Sequence, residues 1–345
     1  MNSPLFRRQF LQRSVAAVLA TSQLPRSVWS QSNAPVDATQ TADSQPHLPS
    51  YSDTKTFEWK FGMSIRTPVA FTNGLATFPI PMDWPEQSVQ IITRDVDSLV
   101  SHLQVRDLDG GARQVVLAIP RVTSNQSLDV NFTIRIDKRD IVAPADPSSL
   151  VIPQRVSREM RAYMGNSPMI DATHGNIRAL SRELADTAPQ LAWDRVRQIY
   201  DTVRKKVRYV EGPIRNASDA LKEGEGDCED MTSLFVALCR NAGVPARMVW
   251  IPGHCYPEFY LEVDGDGDES GAWYPCQAAG SELFGEMQED RPVLQKGDRF
   301  RVVETKKIER YVSEFFRCDR RGNGSPVVQF SRQLVSPAGA EQNRP

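Results

Sequence analysis

The sequence predicts an α+β fold in which an all-β segment precedes a segment that is first helical and then stranded. Three observations predict it. Residues 56–142 alternate apolar and polar side chains with no helical period, residues 177–243 repeat apolar side chains at spacings of three and four, and residues 247–276 return to short strand-like runs. Alternation places every second side chain on one face of a sheet, whereas spacings of three and four place them on one stripe of a helix. With 345 residues, 40% hydrophobic and 24% charged, the composition is that of an ordinary globular protein, and the length suits about two domains.

The first 30 residues read as an export leader. Phe6, Arg7, Arg8, Gln9, Phe10 and Leu11 precede a short, weakly apolar stretch from Ser14 to Leu24. This resembles the twin-arginine signal of bacteria, with Val28 and Ser30 placed for cleavage after Ser30. The resemblance implies passage of the folded protein to the periplasm or beyond, where exposed thiols are oxidised. Five cysteines are an odd number, so at least one is unpaired within the chain. The longest apolar run of the leader, Val15 to Ala20, falls far short of the roughly 18 residues that span a bilayer. The leader holds Arg7, Arg8, Arg13 and Arg26 and no acid, which leaves 37 basic against 43 acidic residues, a charge of −6, in the rest of the chain. A surface of that sign gives no reason to expect a nucleic acid or an anionic membrane as partner of the mature protein.

Residues 31–53 are rich in Ser, Thr, Asp, Gln and Pro and read as a linker. A β-sandwich is expected over 54–144. Phe57, Trp59, Phe61, Met63 and Ile65 form one alternating run, and Leu128, Val130, Phe132, Ile134 and Ile136 form another. Asp109, Gly110 and Gly111 mark the turn of a hairpin that joins Leu103 to Leu108 with Arg113 to Ile119. The Pro-rich stretch from Ala143 to Pro153 marks the boundary, so a second domain is expected over 145–335, with 336–345 as a frayed tail. Its helices are expected around Ile177, Leu180 and Leu184, around Trp193 to Val207, and from Asp227 to a stop at Gly243 and Pro245. Strands follow at Arg247 to Ile251, Glu258 to Val263 and Ala272 to Cys276, and residues 299–334 are expected to add more.

The chemistry concentrates at the start of the third helix. Cys228 lies in its first turn after the flexible run Glu223, Gly224, Glu225, Gly226. Backbone N–H groups and the macrodipole at a helix start favour a thiolate and can donate to an oxyanion. Asp227, Glu229 and Asp230 oppose that by charge, so a second activator is required. Of the four histidines, His47 falls in the linker, His102 in the β-segment and His174 in a Gly-containing turn, whereas His254 opens a strand soon after the Cys helix. A thiol with a neighbouring imidazole is the arrangement that makes a nucleophile. Cys239, by contrast, reads as a small buried hydrophobe. The acidic run Asp264 to Glu269 reads as a solvated turn, because position six of a calcium loop would be Gly rather than Glu269 and position twelve Glu rather than Pro275. No Cys or His pair has zinc-site spacing, and no cofactor or metal is expected.

Gly226, Cys228, Leu234, Leu238, Arg240, Gly243, Pro245, Ala246 and Arg247 together resemble the core motif of the transglutaminase-like superfamily. In that motif a Gly-x-Cys turn enters a helix closing on Arg-x-x-Gly-Ile/Val-Pro-Ala-Arg. His254, Tyr256 and Glu258 resemble its His-x-Trp-x-Glu strand with Tyr in place of Trp, and Trp273 and Pro275 resemble its Trp-x-Pro-x-Asp segment. The resemblance covers roughly Leu191 to Gln277. It implies a papain-like core, with the Cys helix packed on an antiparallel sheet, behind the β-sandwich. It also implies Cys228 as nucleophile, His254 as base and Gln277 in the third position, where the family usually has Asp. A neutral amide can accept a hydrogen bond from the imidazole but offers the imidazolium no full charge. In the family fold Cys255 and Cys276 share the face opposite His254 and Gln277 on adjacent strands, which allows a disulfide between them.

These readings lead to the expectation of an exported cysteine enzyme acting on a protein or peptide substrate through a Cys thioester, with hydrolysis favoured over crosslinking. The alternative is a binding or assembly module that keeps the fold without the activity; Gln277 and the acids around Cys228 are its support.

Overall fold

A computed structural model describes residues 46–265 and 271–335. The leader 1–30, most of the linker 31–53, the tip of the acidic turn at 266–270 and the tail 336–345 lie outside the described residues.

The β-sandwich begins with β1 (Lys55–Thr67), β2 (Ala70–Ile80) and β3 (Gln87–Val96). It continues with β4 (His102–Leu108), β5 (Ala112–Val122) and β6 (Gln126–Lys138). Trp59, Phe61, Met63 and Ile65 of β1 and Leu128, Val130, Phe132, Ile134 and Ile136 of β6 are buried, so both alternating runs form core faces. They pack in one cluster with Phe71, Phe78 and Ile80 of β2 and Val115, Leu117 and Ile119 of β5, which is what two facing sheets with one apolar side each must do. The hairpin β4–β5 pairs Leu108 with Ala112. Its turn needs Gly110 and Gly111, at φ of 98° and 92°, where a side chain would be strained.

The second half supplies α1 (Gly175–Asp186), α2 (Ala192–Lys206), α3 (Ala217–Glu223) and α4 (Cys228–Asn241). Three strands follow in sequence, β7 (Ala246–Ile251), β8 (His254–Val263) and β9 (Gly271–Pro275). Every residue of α4 from Asp230 to Arg240 is buried, because the helix lies between the other helices and the sheet; its middle, Leu234 to Cys239, is apolar all round as such enclosure requires, and its buried polar residues lie towards its ends. Ala246, Met248 and Trp250 of β7 and Cys255, Phe259 and Leu261 of β8 close the same core.

The two halves share a sheet. The two-residue strand β10 (Gln295–Lys296) pairs with β7 on one side and with Ala112 of β5 on the other. The strand order is thus β9-β8-β7-β10-β5-β2, ending at β11 (Phe315–Arg321). The other sheet runs β12-β1-β6-β3, with β12 spanning Val327–Val335. A sequence division at 144/145 gives the C-terminal strands to the second half, but β11 pairs with β2 and β12 with β1. Phe316, Val328 and Phe330 pack on the sandwich core, and their strands cover edges that would otherwise expose unpaired backbone groups. The last part of the sequence-assigned linker is likewise anchored: Ser50 and Tyr51 pair with Val142 and Ile141, and the Tyr274 hydroxyl donates to the His47 carbonyl at 2.8 Å.

No helix among the described residues is long and apolar enough to cross a membrane.

Candidate active site

The start of α4 is built by a capping box. The Asp227 carboxylate accepts from the backbone N–H of Glu229 at 2.8 Å and of Asp230 at 3.1 Å, while the Asp230 carboxylate accepts from the Asp227 N–H at 3.3 Å. The cap therefore uses the N–H groups of Glu229 and Asp230 and leaves that of Cys228 unused. Gly226 is required here by space, since a Cβ would lie 2.6 Å from the Asp230 Cβ. The approach is fixed from the other side by the parallel pairing of Arg208 and Tyr209 with Glu225 and Gly226, which sets Tyr209 beside the helix start.

Two of the three acids around Cys228 turn out to be paired with a cation. Asp230 is fully buried and accepts from the Arg215 N–H at 2.8 Å and from its guanidinium at 3.0 Å. Glu229 pairs with Arg310, and burial raises its pKa against the opposing pull of that arginine. The repulsion anticipated from sequence is eased at Asp230 and Glu229 by Arg215 and Arg310, which lie outside the motif in sequence.

His254 begins β8 and pairs across to Ile251 of β7. Its Nε2 lies 3.0 Å from Oε1 of Gln277, so Nε2–H donates to the amide oxygen and Nδ1 is left to face the thiol. The amide is oriented by its other end: the Gln277 Nε2 donates to the Met287 sulfur at 3.5 Å, and a thioether can only accept. The Gln277 backbone is held too, its N–H on Leu283 O at 2.9 Å and its carbonyl on the Arg204 guanidinium at 3.0 Å. At 7% exposure Gln277 is shielded from water that would compete for the imidazole. The chain Met287–Gln277–His254 thus selects one tautomer and one ring orientation.

The Cys228 thiol is pulled down to a pKa of about 4. The largest cause is a hydrogen bond from the Cys255 side chain; burial opposes it, and a hydrogen bond from His254, its charge, and the Cys255 backbone N–H reinforce it. For His254, burial favours the neutral ring, but hydrogen bonds to Cys228 and Gln277 outweigh it and raise the pKa above 6.5. Both shifts favour a thiolate facing an imidazolium at neutral pH.

Two clefts open on either side of this pair. One, of about 1050 Å³, is bordered by His254, Gln277, Arg204 and Arg291, and the other, of about 500 Å³, by Cys228, Glu229, Trp250 and Arg310. Tyr209, Gly253 and His254 border both, so the imidazole stands on the ridge between the clefts, and the thiol opens to the smaller one.

All three sequence-predicted residues, Cys228, His254 and Gln277, come together, and the other histidines do not. His47 sits on the Asp146 carbonyl at 2.8 Å, His102 starts β4, and His174 caps α1 through the Asn176 N–H. The Cys255–Cys276 disulfide allowed by the family fold is not formed, and all five cysteines are free thiols. The strand register explains this. Glu258 pairs with Pro275 and the Cys276 N–H donates to the Pro257 carbonyl, so Cys276 is diagonal to Cys255 rather than opposite it. Diagonal neighbours stand about 7–8 Å apart, beyond the usual Cα separation of a disulfide, about 4.4–6.8 Å. The sequence reading did not include Cys255 or Met287 in the site. No pattern of spacing marks them; only the folded register brings them there.

Arg240, Arg247 and Glu258 of the quoted motifs serve the scaffold. Arg240 at the end of α4 bonds the Ala246 carbonyl at 2.8 Å and Asp298 at 2.7 Å, tying helix to strand. Arg247 and Lys296 converge on Glu258 at 2.8 and 2.6 Å, and Lys296 also reaches Glu86 at 2.7 Å.

Residues 178–278 match the model of the transglutaminase-like superfamily. Comparison with curated protein sequences finds no match. Among solved structures, a candidate cysteine protease from Cytophaga hutchinsonii is similar with a TM-score of 0.56 at 16% identity, covering 84% of this chain and 93% of that one. The periplasmic domain of TgpA from Pseudomonas aeruginosa, in a structure with ethylmercury bound, matches more distantly, with a TM-score of 0.28 at 14% identity over 63% of this chain and 89% of that one. The fold is a transglutaminase-like core, α4 packed on an antiparallel sheet in the papain-like manner, preceded by a β-domain.

Proposed function

We propose that the protein is an exported cysteine enzyme that cleaves an amide or peptide bond through a thioester on Cys228. The observation that carries this reading is the hydrogen-bonded series Met287–Gln277–His254, with the imidazole beside the Cys228 thiol, whose pKa it helps to lower, at the start of α4. The thiolate of Cys228 attacks the substrate carbonyl carbon, and the Cys228 N–H, which the cap leaves unused, donates to the developing oxyanion. The imidazolium of His254 gives its Nδ1 proton to the leaving amine as the C–N bond breaks, leaving a thioester. The now neutral His254 takes a proton from water, whose oxygen attacks the thioester. The C–S bond breaks, the acid is released, and the proton on His254 restores the ion pair. Gln277 keeps Nε2 occupied throughout, so Nδ1 is the nitrogen that moves the proton.

Both clefts are open to solvent, which supports water as the acceptor; a primary amine in its place would give crosslinking. A protein or peptide suits a ridge between two clefts better than a small amide does. Export rests on the leader residues Phe6 to Leu11. Against the reading as a non-catalytic module stand the Gln277 amide on the imidazole and the pairing of Glu229 and Asp230 with Arg310 and Arg215; the unpaired Asp227 and the missing charge at Gln277 remain on its side. Incubating the mature protein with a denatured protein substrate, with and without a labelled primary amine, tests the reading. New amino termini and little incorporated label are expected. Label without new termini would make it a crosslinking enzyme, and neither product would overturn the proposal.

A further inference from the structure

We propose that Lys138 and Arg291 are positioning residues that hold His254 from the side of the β-sandwich. Lys138 is the last residue of β6 and is 4% exposed. Its ammonium donates to the backbone carbonyl of Arg291, in the segment 287–293 that precedes β10. The Arg291 guanidinium donates in turn to the Pro252 carbonyl at 3.1 Å. Pro252 and Gly253, the latter at a φ of 72°, make the tight turn that leads into His254. The relay Lys138–Arg291–Pro252 thus runs from a sandwich strand to the backbone that carries the imidazole. Arg291 is itself fixed: its Nε and Nη2 bond the two oxygens of Glu289 at 2.8 and 2.6 Å, a planar fork on a carboxylate, which aims Nη1 at the turn.

The rest of the segment is anchored by other means. Met287 exchanges two backbone hydrogen bonds with Ile141, both at 2.9 Å, and Val293 exchanges two with the Gln87 amide at 2.7 and 3.0 Å. Between these anchors the carbonyl of Arg291 is held by Lys138. Taking an ammonium out of water costs free energy that a paired carboxylate usually offsets, yet among the described residues the only hydrogen bond of Lys138 goes to that carbonyl. Burial pushes its pKa down to about 8, against the pull of Glu86, Glu289 and Asp290 and with Lys296 adding to the fall. The group is therefore charged at neutral pH, and a charged donor makes the stronger hydrogen bond. An apolar side chain of the same length would fill the space without the desolvation cost, so what the ammonium adds is its hold on Arg291. Loosening the relay lets the turn and the ring drift from Gln277, and the imidazolium loses the acceptor that stabilises it.

The arrangement is tested without a substrate by following the imidazole signals of the full chain against pH by NMR. His254 is identified by the signal missing from His254→Ala. Cys228 is a thiolate from about pH 4 upward, so between about pH 5 and 9 the midpoint reports the ring. Lys138→Met should lower that midpoint by about half a unit, a roughly threefold loss of proton affinity. The urea midpoint should stay close to wild type, and the signals of His102 and His174 should not move. The sign discriminates, because loss of a positive charge alone would raise the midpoint. Arg291→Lys keeps the charge but not the fork and should give a fall of the same size; the double variant should fall no further, as two links of one relay do. An unchanged or raised midpoint, additive falls, equal movement of His102 and His174, or a fall that comes with a large drop in the urea midpoint would overturn the proposal. Should Lys138→Met fail to fold, Arg291→Lys carries the test alone, since that side chain is 38% exposed. For turnover the inference rests on His254 being the base, and kcat should then fall about fivefold with KM unchanged. Absence of any cleavage would strike that reading and leave the titration standing.

Discussion

One strand carries two polar clusters of opposite design. At the start of β8, His254 is half-buried beside a thiol whose strongest charged partner is the imidazole itself. Four residues on, Glu258 is fully buried and held by both Arg247 and Lys296, with Lys296 shared by Glu86. Burial favours the protonated form of Glu258, yet the two cations outweigh it and keep its pKa low. Two carboxylates balance two cations there, and Arg247 also lies 3.9 Å over the Trp273 ring. The first cluster holds a proton that can move, and the second holds charges that cannot. The difference teaches that a single motif, His-x-Tyr-x-Glu, mixes reaction and scaffold, and that the degree of pairing tells which is which.

Substitutions should separate the two clusters. The largest effect is expected at Cys228: Cys228→Ala should lower turnover by roughly 10⁴-fold or more with only a small change in melting temperature, because the side chain is partly buried at the edge of the core rather than enclosed by it. His254→Ala should fall to the same floor, and the double variant no further, since nucleophile and base act as a unit. Additive losses in the double variant would break the comparison. At the other cluster Glu258→Gln should cost about 3–5 kcal/mol of stability, as removal of one partner from a buried ion pair does, read as a drop in the urea midpoint. Alkylation of Cys228 in the remaining folded protein should be unaffected.

Gln277 stands between these extremes. Gln277→Ala frees the imidazole to rotate and should lower the rate by roughly 10²-fold, less than the ~10⁴ lost with an orienting carboxylate. Gln277→Asp shortens the reach to Nε2 but restores a charge. A higher rate would mean that imidazolium stabilisation is limiting, and a lower one that geometry is. Loss of the sulfur contact in Met287→Leu should cost only a few-fold, about 1 kcal/mol for one weak hydrogen bond, by letting the Gln277 amide flip. The pH dependence follows from the two shifts. Cys228 becomes a thiolate as pH rises past about 4, and His254, raised above its ordinary value, keeps its proton beyond pH 6.5 and loses it at higher pH. The profile of kcat/KM should therefore be a bell with an acidic rise and a fall on the alkaline side of an ordinary imidazole.

Much of this was legible in the sequence, for a physical reason. Alternation in β1 and β6 and three-four spacing in α1 and α2 are imposed by burial of one face, so they appear in the order of residues. Gly226, Cys228 and His254 were legible because a tight approach, a helix start and a strand start each demand particular residue types in sequence order. The pairing of β11 and β12 with β2 and β1 was not, since sequence spacing carries no information about which distant strand covers an edge. Nor were Cys255, Met287, Arg215 and Arg310. Their contributions depend on register and on approach from distant loops, and the pairing of Glu229 and Asp230 with Arg310 and Arg215 eases what the local run Asp227 to Asp230 suggested.

The central claim is that Cys228 takes up the acyl group. Mixing the mature protein with an activated acyl ester, quenching in acid within the first turnover and measuring intact and peptide masses tests it most directly. The account predicts one acyl group per chain, on the peptide containing Cys228, removable by hydroxylamine and absent from Cys228→Ala. An acyl group on another residue, or turnover with no thioester and full activity in Cys228→Ala, would contradict it.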